Sequence, residues 1–291
     1  MENALDSGKI LAQRYRILYT LSHDNLGRTY LAEIVDSEKG DRVILKELSD
    51  RLTSPLLHQD SDRLRQNFAP LENLDHPQLP HFRDLLQVQT PNRDRLIIVQ
   101  DHIEGLTYRE LLNARQQQGR SFSEVEVRDL LQNLLPVLNY LHERQINCGD
   151  LCLESLILRH QDRLPVLSHI SSLPSLLLTP EHQLTTALPR QPEAPEALLP
   201  GERPHTDFSP QNDFYTLAVS ILVLLSGREP QYLKNPQTQT WDWSYLHLTP
   251  EFQALLQQML GEGDRPPHAN TLLTALQACP PPLTEATPPP L

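Results

Sequence analysis

The residues of this chain that could do chemistry lie in three short stretches. Lys46 ends the stretch VILK (43–46), Asp150 lies in the stretch CGDLCLES (148–155), and His169 lies in the stretch PVLSHIS (165–171). A lysine ammonium can bind phosphate oxygens, and an aspartate can accept the proton of a hydroxyl group. Cys148, Cys152 and His169 carry the thiol and imidazole groups that bind zinc or take part in redox chemistry. The residue types therefore allow either phosphate chemistry or a thiol–imidazole site.

The elements that must hold these residues change in type along the chain. The first hundred or so residues are predicted to form a small sheet with one helix, because short strand-like runs are separated by turn signals. From Thr107 onward, apolar residues recur at helical spacing. The predicted strands are residues 15–21, 28–33, 42–48 and 96–100, with a turn-like segment at 22–27 and a helix at 60–74 that Pro70 should interrupt. The later elements are predicted as helices 108–118, 124–144, 213–226, 250–260 and 269–278, with strands near 156–158 and 166–167.

Size and charge limit the classes of function. The chain has 291 residues, enough for one large domain or two packed lobes, and its net charge of -12 disfavours nucleic acid and anionic membranes as partners. Its cysteines, Cys148, Cys152 and Cys279, are too few for a disulfide framework and suit a reducing compartment. The longest apolar run, near residues 217–225, is too short to span a bilayer, and the first residues lack a signal-peptide pattern. We therefore expect a cytoplasmic protein.

The order of these stretches resembles a serine/threonine protein kinase domain of the bacterial type over nearly the whole chain. The stretch VILK stands where the family has its third-strand lysine, and CGDLCLES stands where it has the catalytic loop HRDLKPEN. Further matches are His76-Pro77, APE (194–196), DFYTL (213–217) and DRP (264–266). The resemblance implies an α+β, bilobal fold, with a small β-rich N-lobe at 13–103 and a larger, mainly helical C-lobe at 104–279. The proline-rich tail at 280–291 is predicted to be disordered.

Most positions that the family uses for catalysis carry other residue types here. Gly27 and Lys46 stand at ATP-contact positions, and Asp150 stands at the position of the catalytic base. The replacements are Ser22 and Asp24 for two phosphate-loop glycines, Ile44 for the alanine beside adenine, Asn67 for the helix glutamate that pairs with the lysine, Cys152 for the loop lysine, and Ser155 and His169 for the two protein ligands of magnesium. The resemblance therefore implies that the magnesium site is lost and that no cofactor is required, while ATP binding stays open.

The positions that support the family's fold are retained. The resemblance implies a buried ion pair between Glu196 and Arg265, and it implies that Asp213 anchors the backbone of the catalytic loop. Residues at the family's catalytic positions are replaced, whereas residues that support its fold are retained. This pattern predicts that the fold serves a function other than phosphoryl transfer. The leading hypothesis is a catalytically inactive pseudokinase that acts on a protein partner as a scaffold or allosteric regulator.

Other interpretations of the same residues stay open at this stage. An atypical active kinase would need Lys46, Asp150 and a metal site built from Glu154 or Asp162. A nucleotide sensor would bind ATP without magnesium through Lys46 and Gly27. A site for a metal or for redox chemistry would bring Cys148, Cys152 and His169 together, with His142 as a fourth ligand. Lys46 could also bond to a different acid or to water, Asp150 could bond only to backbone amides, and the proline-rich tail could be a linker or dock a proline-reading protein.

Overall fold

The computed structural model describes residues 4–24, 27–37, 40–49, 61–89, 94–149, 151–170, 177, 209–235, 237–238, 240–262, 266 and 268–281. The chain divides into two compact units. The sheet unit comprises Met1–Glu104 and Val166–Gln191, and the helical unit comprises Gly105–Pro165 and Pro192–Leu291. The predicted proline-rich tail lies outside the described residues from position 282 onward.

The sheet unit is built on six antiparallel strands in the order β1-β2-β3-β4-β6-β5. The strands are β1 (Ile10–Leu11), β2 (Tyr15–Asp24), β3 (Gly27–Ile34), β4 (Arg42–Leu48), β5 (Phe82–Gln89) and β6 (Asp94–Asp101). Side chains alternate between the two faces of each strand. On β4 this places Val43 and Leu45 in the apolar core of one face, the outer face, while Lys46 points to the opposite, inner face.

The outer face of the sheet also buries a charged pair. Arg95 Nη1 lies 2.5 Å from Glu47 Oε1, and both side chains are almost fully buried. The Tyr30 hydroxyl donates to Glu47 Oε2 at 2.6 Å and accepts a hydrogen bond from the Leu5 amide at 3.2 Å. Leu5 and Leu11 belong to the same apolar core. The N-terminal segment therefore covers a buried ion pair in the strand that carries Lys46.

The sheet unit also contains helix α1 (Ser61–Glu72). Leu64, Phe68 and Leu71 are buried along one side of it, at the spacing of an amphipathic helix. The prediction that Pro70 interrupts this helix is wrong, because the helix continues to Glu72. Pro70 is exposed and lies in the last turn, so its missing N–H removes one backbone bond near an end that frays in any helix.

The turn predicted at residues 22–27 is also shorter than expected. β2 and β3 stay paired to the Asp24–Gly27 position, which leaves Asn25 and Leu26 to connect them. Two β-bulges in β2, between Ile17 and Tyr19 and between Thr20 and Ser22, shift the register of this hairpin.

The helical unit contains the remaining helices and a short strand pair. The strand β7 (Gly105–Thr107) pairs antiparallel with β8 (Leu156–Arg159), and the chain passes from the helical unit to the sheet unit within the strand β9 (Pro165–Leu167). The helices are α2 (Tyr108–Gln116), α3 (Glu124–His142), α4 (Pro210–Ser226), α5 (Pro250–Met259) and α6 (Ala269–Ala278). Capping boxes begin α2 and α3, at Thr107 with Glu110 and at Ser123 with Glu126. Within the described residues, no helix is long and apolar enough to cross a membrane.

Candidate functional site

Lys46 on β4 contacts the residue that stands in place of the family's magnesium-binding aspartate. Its Nζ lies 2.5 Å from His169 Nδ1 and 3.3 Å from the carbonyl oxygen of Ser168. Burial and the neighbouring Lys46 charge lower the pKa of His169 from 6.5 to about 3. The imidazole is therefore neutral at pH 7, so its Nδ1 accepts from the ammonium and the ring proton is assigned to Nε2. Lys46 and His169 are therefore joined by a hydrogen bond between an ammonium group and a neutral imidazole.

Gln100 on β6 binds the same backbone carbonyl. Its Nε2 donates to Ser168 O at 2.8 Å, and its side chain is 2% exposed. Gln100 pairs across the sheet with Ile44, which pairs in turn with Leu31, so these three side chains share the inner face of the sheet with Lys46. Ile44 thus adds apolar bulk where the resembled family has a small alanine.

The first helix offers an amide in place of the family's ion-pairing glutamate. Asn67 Nδ2 donates to the carbonyl oxygen of Leu177 at 2.9 Å, and Leu177 is fully buried. Glu72, an acidic residue at the end of the same helix, is exposed. The helix therefore contacts the chain after β9 through a neutral hydrogen bond.

Gly27 has a structural requirement that needs no nucleotide. Its φ is +144°, and a Cβ built there would lie 1.8 Å from the backbone oxygen of Glu47. Any other residue would push β3 away from β4 at this point. The close approach of the two strands is sufficient to explain a glycine at position 27. The presence of this glycine is therefore only weak support for an ATP contact.

In the helical unit, Asp213 at the start of α4 binds the backbone of the loop that carries the catalytic motif. Its carboxylate accepts from the amides of Cys148 and Gly149, each at 2.9 Å, and lies 2.8 Å from His142 Nε2. Asp213 is fully buried. Burial and the Asp213 carboxylate raise the pKa of the Cys148 thiol well above its usual 9.0. Cys148 is therefore a neutral, buried thiol, the opposite of what a thiolate ligand or a redox centre requires.

The other loop positions are engaged in local contacts. The Ser155 hydroxyl, at the position of the family's magnesium-binding asparagine, donates to Cys152 O at 2.7 Å, and Ser155 is buried. Glu154 lies 2.8 Å from Arg109 Nε, and Arg109 also binds Glu229 at 2.7 Å. Asp162 pairs with Arg159 at 2.6 Å, and this contact lowers the pKa of its carboxyl. Both carboxylates considered for a substitute metal site therefore have arginine partners.

Several predicted residues cannot be placed together. Asp150, Glu196 and Arg265 lie outside the described residues, so the catalytic-base position and the expected ion pair remain predictions. Cys148 and Cys152 belong to the helical unit, whereas His169 belongs to the sheet unit. Across the described part of the chain, no three His, Cys, Asp or Glu side chains are grouped as metal ligands.

Three contacts were not foreseen from the sequence. Gln100 closes an apolar run, and a polar residue at the end of a buried strand is the only signal of its contact with Ser168. The Glu47–Arg95 pair joins residues 48 positions apart, and Arg109 joins α2 to residues 45 and 120 positions away. Charged residues within apolar strands can indicate buried pairs, but the spacing does not say which residues pair.

The fold and these motif positions define a domain of the protein kinase type. The family model described as "Protein kinase domain" matches residues 24–264. The chain therefore belongs to the protein kinase domain family.

Relatives and solved structures agree with this assignment. The chain is 28% identical over 284 residues to the serine/threonine-protein kinase PknA of Nostoc sp., which covers 92% of the chain and 48% of PknA. It is 37% identical over 167 residues to the serine/threonine-protein kinase-like protein E of Synechocystis sp., covering 57% of the chain and 26% of that protein. The PknI kinase domain of Mycobacterium tuberculosis (C20A_R136A double mutant) superimposes with a TM-score of 0.66 at 19% identity, covering 94% of the chain and 98% of that domain. The chain thus spans about half or less of the length of these two curated relatives.

Proposed function

We propose that this chain is a catalytically inactive protein-kinase-like domain that acts by binding a protein partner, as a scaffold or an allosteric regulator. The observation that carries the proposal is the contact between Lys46 and His169. Phosphoryl transfer depends on positioning and on cations that neutralise the transferred group, and magnesium supplies much of that charge. Here the residue in the aspartate position is a neutral imidazole bonded to an ammonium group.

Electrostatics disfavour magnesium at this place. Magnesium prefers hard oxygen ligands in octahedral geometry, and an imidazole whose Nδ1 already accepts from Lys46 offers none. A divalent ion 4 Å from the ammonium would be repelled by roughly 8 kcal/mol, taking about 4 kcal/mol per unit charge at an effective dielectric constant of about 20. The carboxylates of Glu154 and Asp162 are paired with arginines, so neither supports an alternative metal site. A protein partner in the cytoplasm, rather than nucleic acid, fits a net charge of -12.

A phosphotransfer assay tests the proposal. The purified chain would be incubated with γ-labelled ATP, magnesium or manganese, and a general protein substrate, beside the variants Asp150→Asn and Lys46→Met. The proposal expects labelling by the wild-type chain to equal that of both variants. Metal-dependent labelling by the wild-type chain that both substitutions abolish would identify an active, atypical kinase instead.

A further inference from the structure

The N-terminal segment, residues 4–11, docks on the outer face of the sheet through apolar side chains. Leu5 and Leu11 are both buried in the core of that face. The Leu5 amide donates a hydrogen bond to the Tyr30 hydroxyl at 3.2 Å, and this hydroxyl is itself buried under the segment. The segment is therefore held by a surface that the strands of the sheet provide.

Hydrogen bonds also join the N-terminal segment to the edge of β2. The Ser7 hydroxyl donates to Leu18 O at 2.5 Å, and the Gly8 amide donates to Ile17 O at 2.8 Å. The strand β1 then pairs antiparallel with the first residues of β2. All these contacts depend on the sheet alone, so the same segment from a second copy of the chain would make every one of them.

The turn that connects the N-terminal segment to β2 is strained. Ala12 and Gln13 have φ angles of +47° and +56°, in the left-handed region. Residues other than glycine avoid this region because Cβ comes too close to the following carbonyl oxygen. Hairpin turns with two positive φ angles in succession usually contain Asn-Gly, Asp-Gly or Gly-Gly, and this turn contains none of these pairs. An extended conformation of the turn would relieve the strain.

Opening the turn would disturb few other contacts. Residues 12–14 are exposed, so water can replace the hydrogen bond from the Arg14 amide to Leu11 O, which is 3.0 Å long. The Val35 amide donates to Arg14 O at 2.8 Å and keeps the start of β2 in place. Three residues span about 10 Å when extended. The turn can therefore act as a hinge that carries the segment away from its own sheet.

We propose that two copies of this chain exchange their N-terminal segments. In the exchanged dimer, residues 4–11 of one copy dock on the outer face of the other copy, and residues 12–14 are extended. The exchange keeps the contacts of the segment and removes the strain of the turn, and short strained hinges favour exchange of identical elements. This inference goes beyond the proposed function, because it names a second copy as a partner and requires neither nucleotide nor metal.

A disulfide between two single-cysteine variants of the whole chain tests the exchange. One variant carries Ile10→Cys and the other carries Arg16→Cys, because these residues lie opposite each other in the β1–β2 pair. Directly opposed residues of an antiparallel pair have Cα atoms about 5 Å apart, which suits a disulfide. Cys152 and Cys279 are replaced by serine in both variants, since both are partly exposed. We expect the oxidised mixture to contain chains joined by a disulfide between positions 10 and 16, identified by mass spectrometry of the peptides.

A chain that carries both new cysteines is the positive control for the disulfide. It should form the bond between positions 10 and 16 whether or not the segments exchange, because the two residues are opposed in either case. Absence of this disulfide between chains in the mixture, together with its presence in the doubly substituted chain, would overturn the proposal. Dimers without the disulfide would likewise show that the copies associate through a different surface.

Substitutions in the hinge test whether strain favours the exchange. Gln13→Gly relaxes the closed turn, because glycine adopts a positive φ readily. Gln13→Pro excludes the closed turn, because proline fixes its own φ near −65° and forces Ala12 towards an extended conformation. The dissociation constant of the dimer, measured by analytical ultracentrifugation, should rise by about tenfold or more in Gln13→Gly, since each dimer opens two turns. It should fall in Gln13→Pro.

Gln145→Gly is the matched control for the hinge. Gln145 also has a positive φ, of +59°, but it lies in the helical unit, so this variant should keep the wild-type dissociation constant. Equal constants for the wild type and Gln13→Gly would overturn the proposal, as would a folded Gln13→Pro chain that stays monomeric. Gln13→Gly decides the question if Gln13→Pro does not fold, because relaxing the turn removes no contact of the segment. Neither readout involves phosphotransfer, so failure of the exchange and failure of the proposed function are separate results.

Discussion

The charge state of His169 depends directly on its contact with Lys46. Its pKa is about 3 in the folded chain, below its ordinary value of 6.5, because of burial and the Lys46 ammonium. Between pH 6.5 and pH 3, His169 binds a proton in the unfolded chain but not in the folded chain. The free energy of unfolding therefore has its full value, as far as His169 is concerned, above pH 6.5, and it decreases progressively as the pH falls towards 3.

The pH dependence gives the first prediction. The free energy of unfolding, measured with urea between pH 7 and about pH 4, should fall less steeply in His169→Gln than in wild type, because glutamine does not titrate. His160→Gln, at an exposed position, is the control and should keep the wild-type slope. An unchanged slope in His169→Gln would show that this imidazole is not held neutral by the fold.

Cys148 gives a prediction about reactivity. Burial and Asp213 raise the pKa of its thiol well above 9.0, whereas Cys152 is partly exposed. Iodoacetamide should therefore label Cys152 in the folded chain and leave Cys148 unlabelled, and denaturant should expose both. Mass spectrometry of the peptides measures this. Rapid labelling of Cys148 in the folded chain would revive the thiol–imidazole interpretation.

Asp213 gives a prediction about stability. Its carboxylate accepts hydrogen bonds from the Cys148 and Gly149 amides and contacts His142, so Asp213→Ala removes the acceptor of the buried Cys148 amide together with two further contacts. The expected loss is about 3 kcal/mol or more in the free energy of unfolding. Asp242→Ala, which removes a carboxylate that caps a short turn at the surface, should cost much less than Asp213→Ala. Similar losses in the two variants would argue against an anchoring role for Asp213.

Single-residue roles could be predicted from the sequence only where a motif supplied them. The motif DFYTL pointed to Asp213, whose carboxylate accepts hydrogen bonds from the Cys148 and Gly149 amides. No spacing could show that Lys46 meets His169, because the two lie 123 positions apart and the contact depends on the fold. Gln100 was included in a predicted strand, but its hydrogen bond to Ser168 is visible only in three dimensions.

Among the elements, β4 combines an inner-face lysine with an outer-face ion pair. Arg95→Leu should destabilise the chain by about 3–5 kcal/mol, because it leaves the Glu47 carboxylate buried without its cation. The double variant Glu47→Leu with Arg95→Leu should recover much of that loss, since no uncompensated charge remains. Chemical denaturation of the three proteins measures the difference. Equal stability of the single and double variants would show that water reaches Glu47 and that the outer face is not sealed by the N-terminal segment.

The type and order of most helices and strands could be predicted from the sequence. The residues at which they begin and end, and the effect of Pro70, were predicted less well. The bounds of β4 and α6 agree with the predicted strand 42–48 and helix 269–278, because alternation and helical periodicity are clear there. The strand β5 was missed, and the hairpin around Asp24 and Gly27 was predicted to be wider than it is. Pro70 shows why local propensity failed: an exposed proline in a last turn is tolerated when the other side of the helix is packed.

For the whole molecule, the fold is that of the protein kinase family. The division of the chain at Glu104 and Gly105 gives a sheet unit and a helical unit, each with its own polar centre. In the sheet unit this centre is Lys46 with Ser168, His169 and Gln100, and in the helical unit it is Asp213 with the loop at Cys148. Each centre satisfies its polar groups mainly from within the protein, which is the property that the proposed function requires.

Thermal unfolding with ATP, in magnesium and again in EDTA, tests most directly whether this fold still holds a metal–nucleotide complex. A ligand that binds only the folded state raises stability by about 2.7 kcal/mol at a hundredfold excess over its Kd. Because Lys46 is bonded to His169 and Ser168, we predict that ATP with magnesium leaves the melting temperature where ATP in EDTA leaves it. A rise in melting temperature that requires magnesium would contradict the account and would place a working kinase site in this chain.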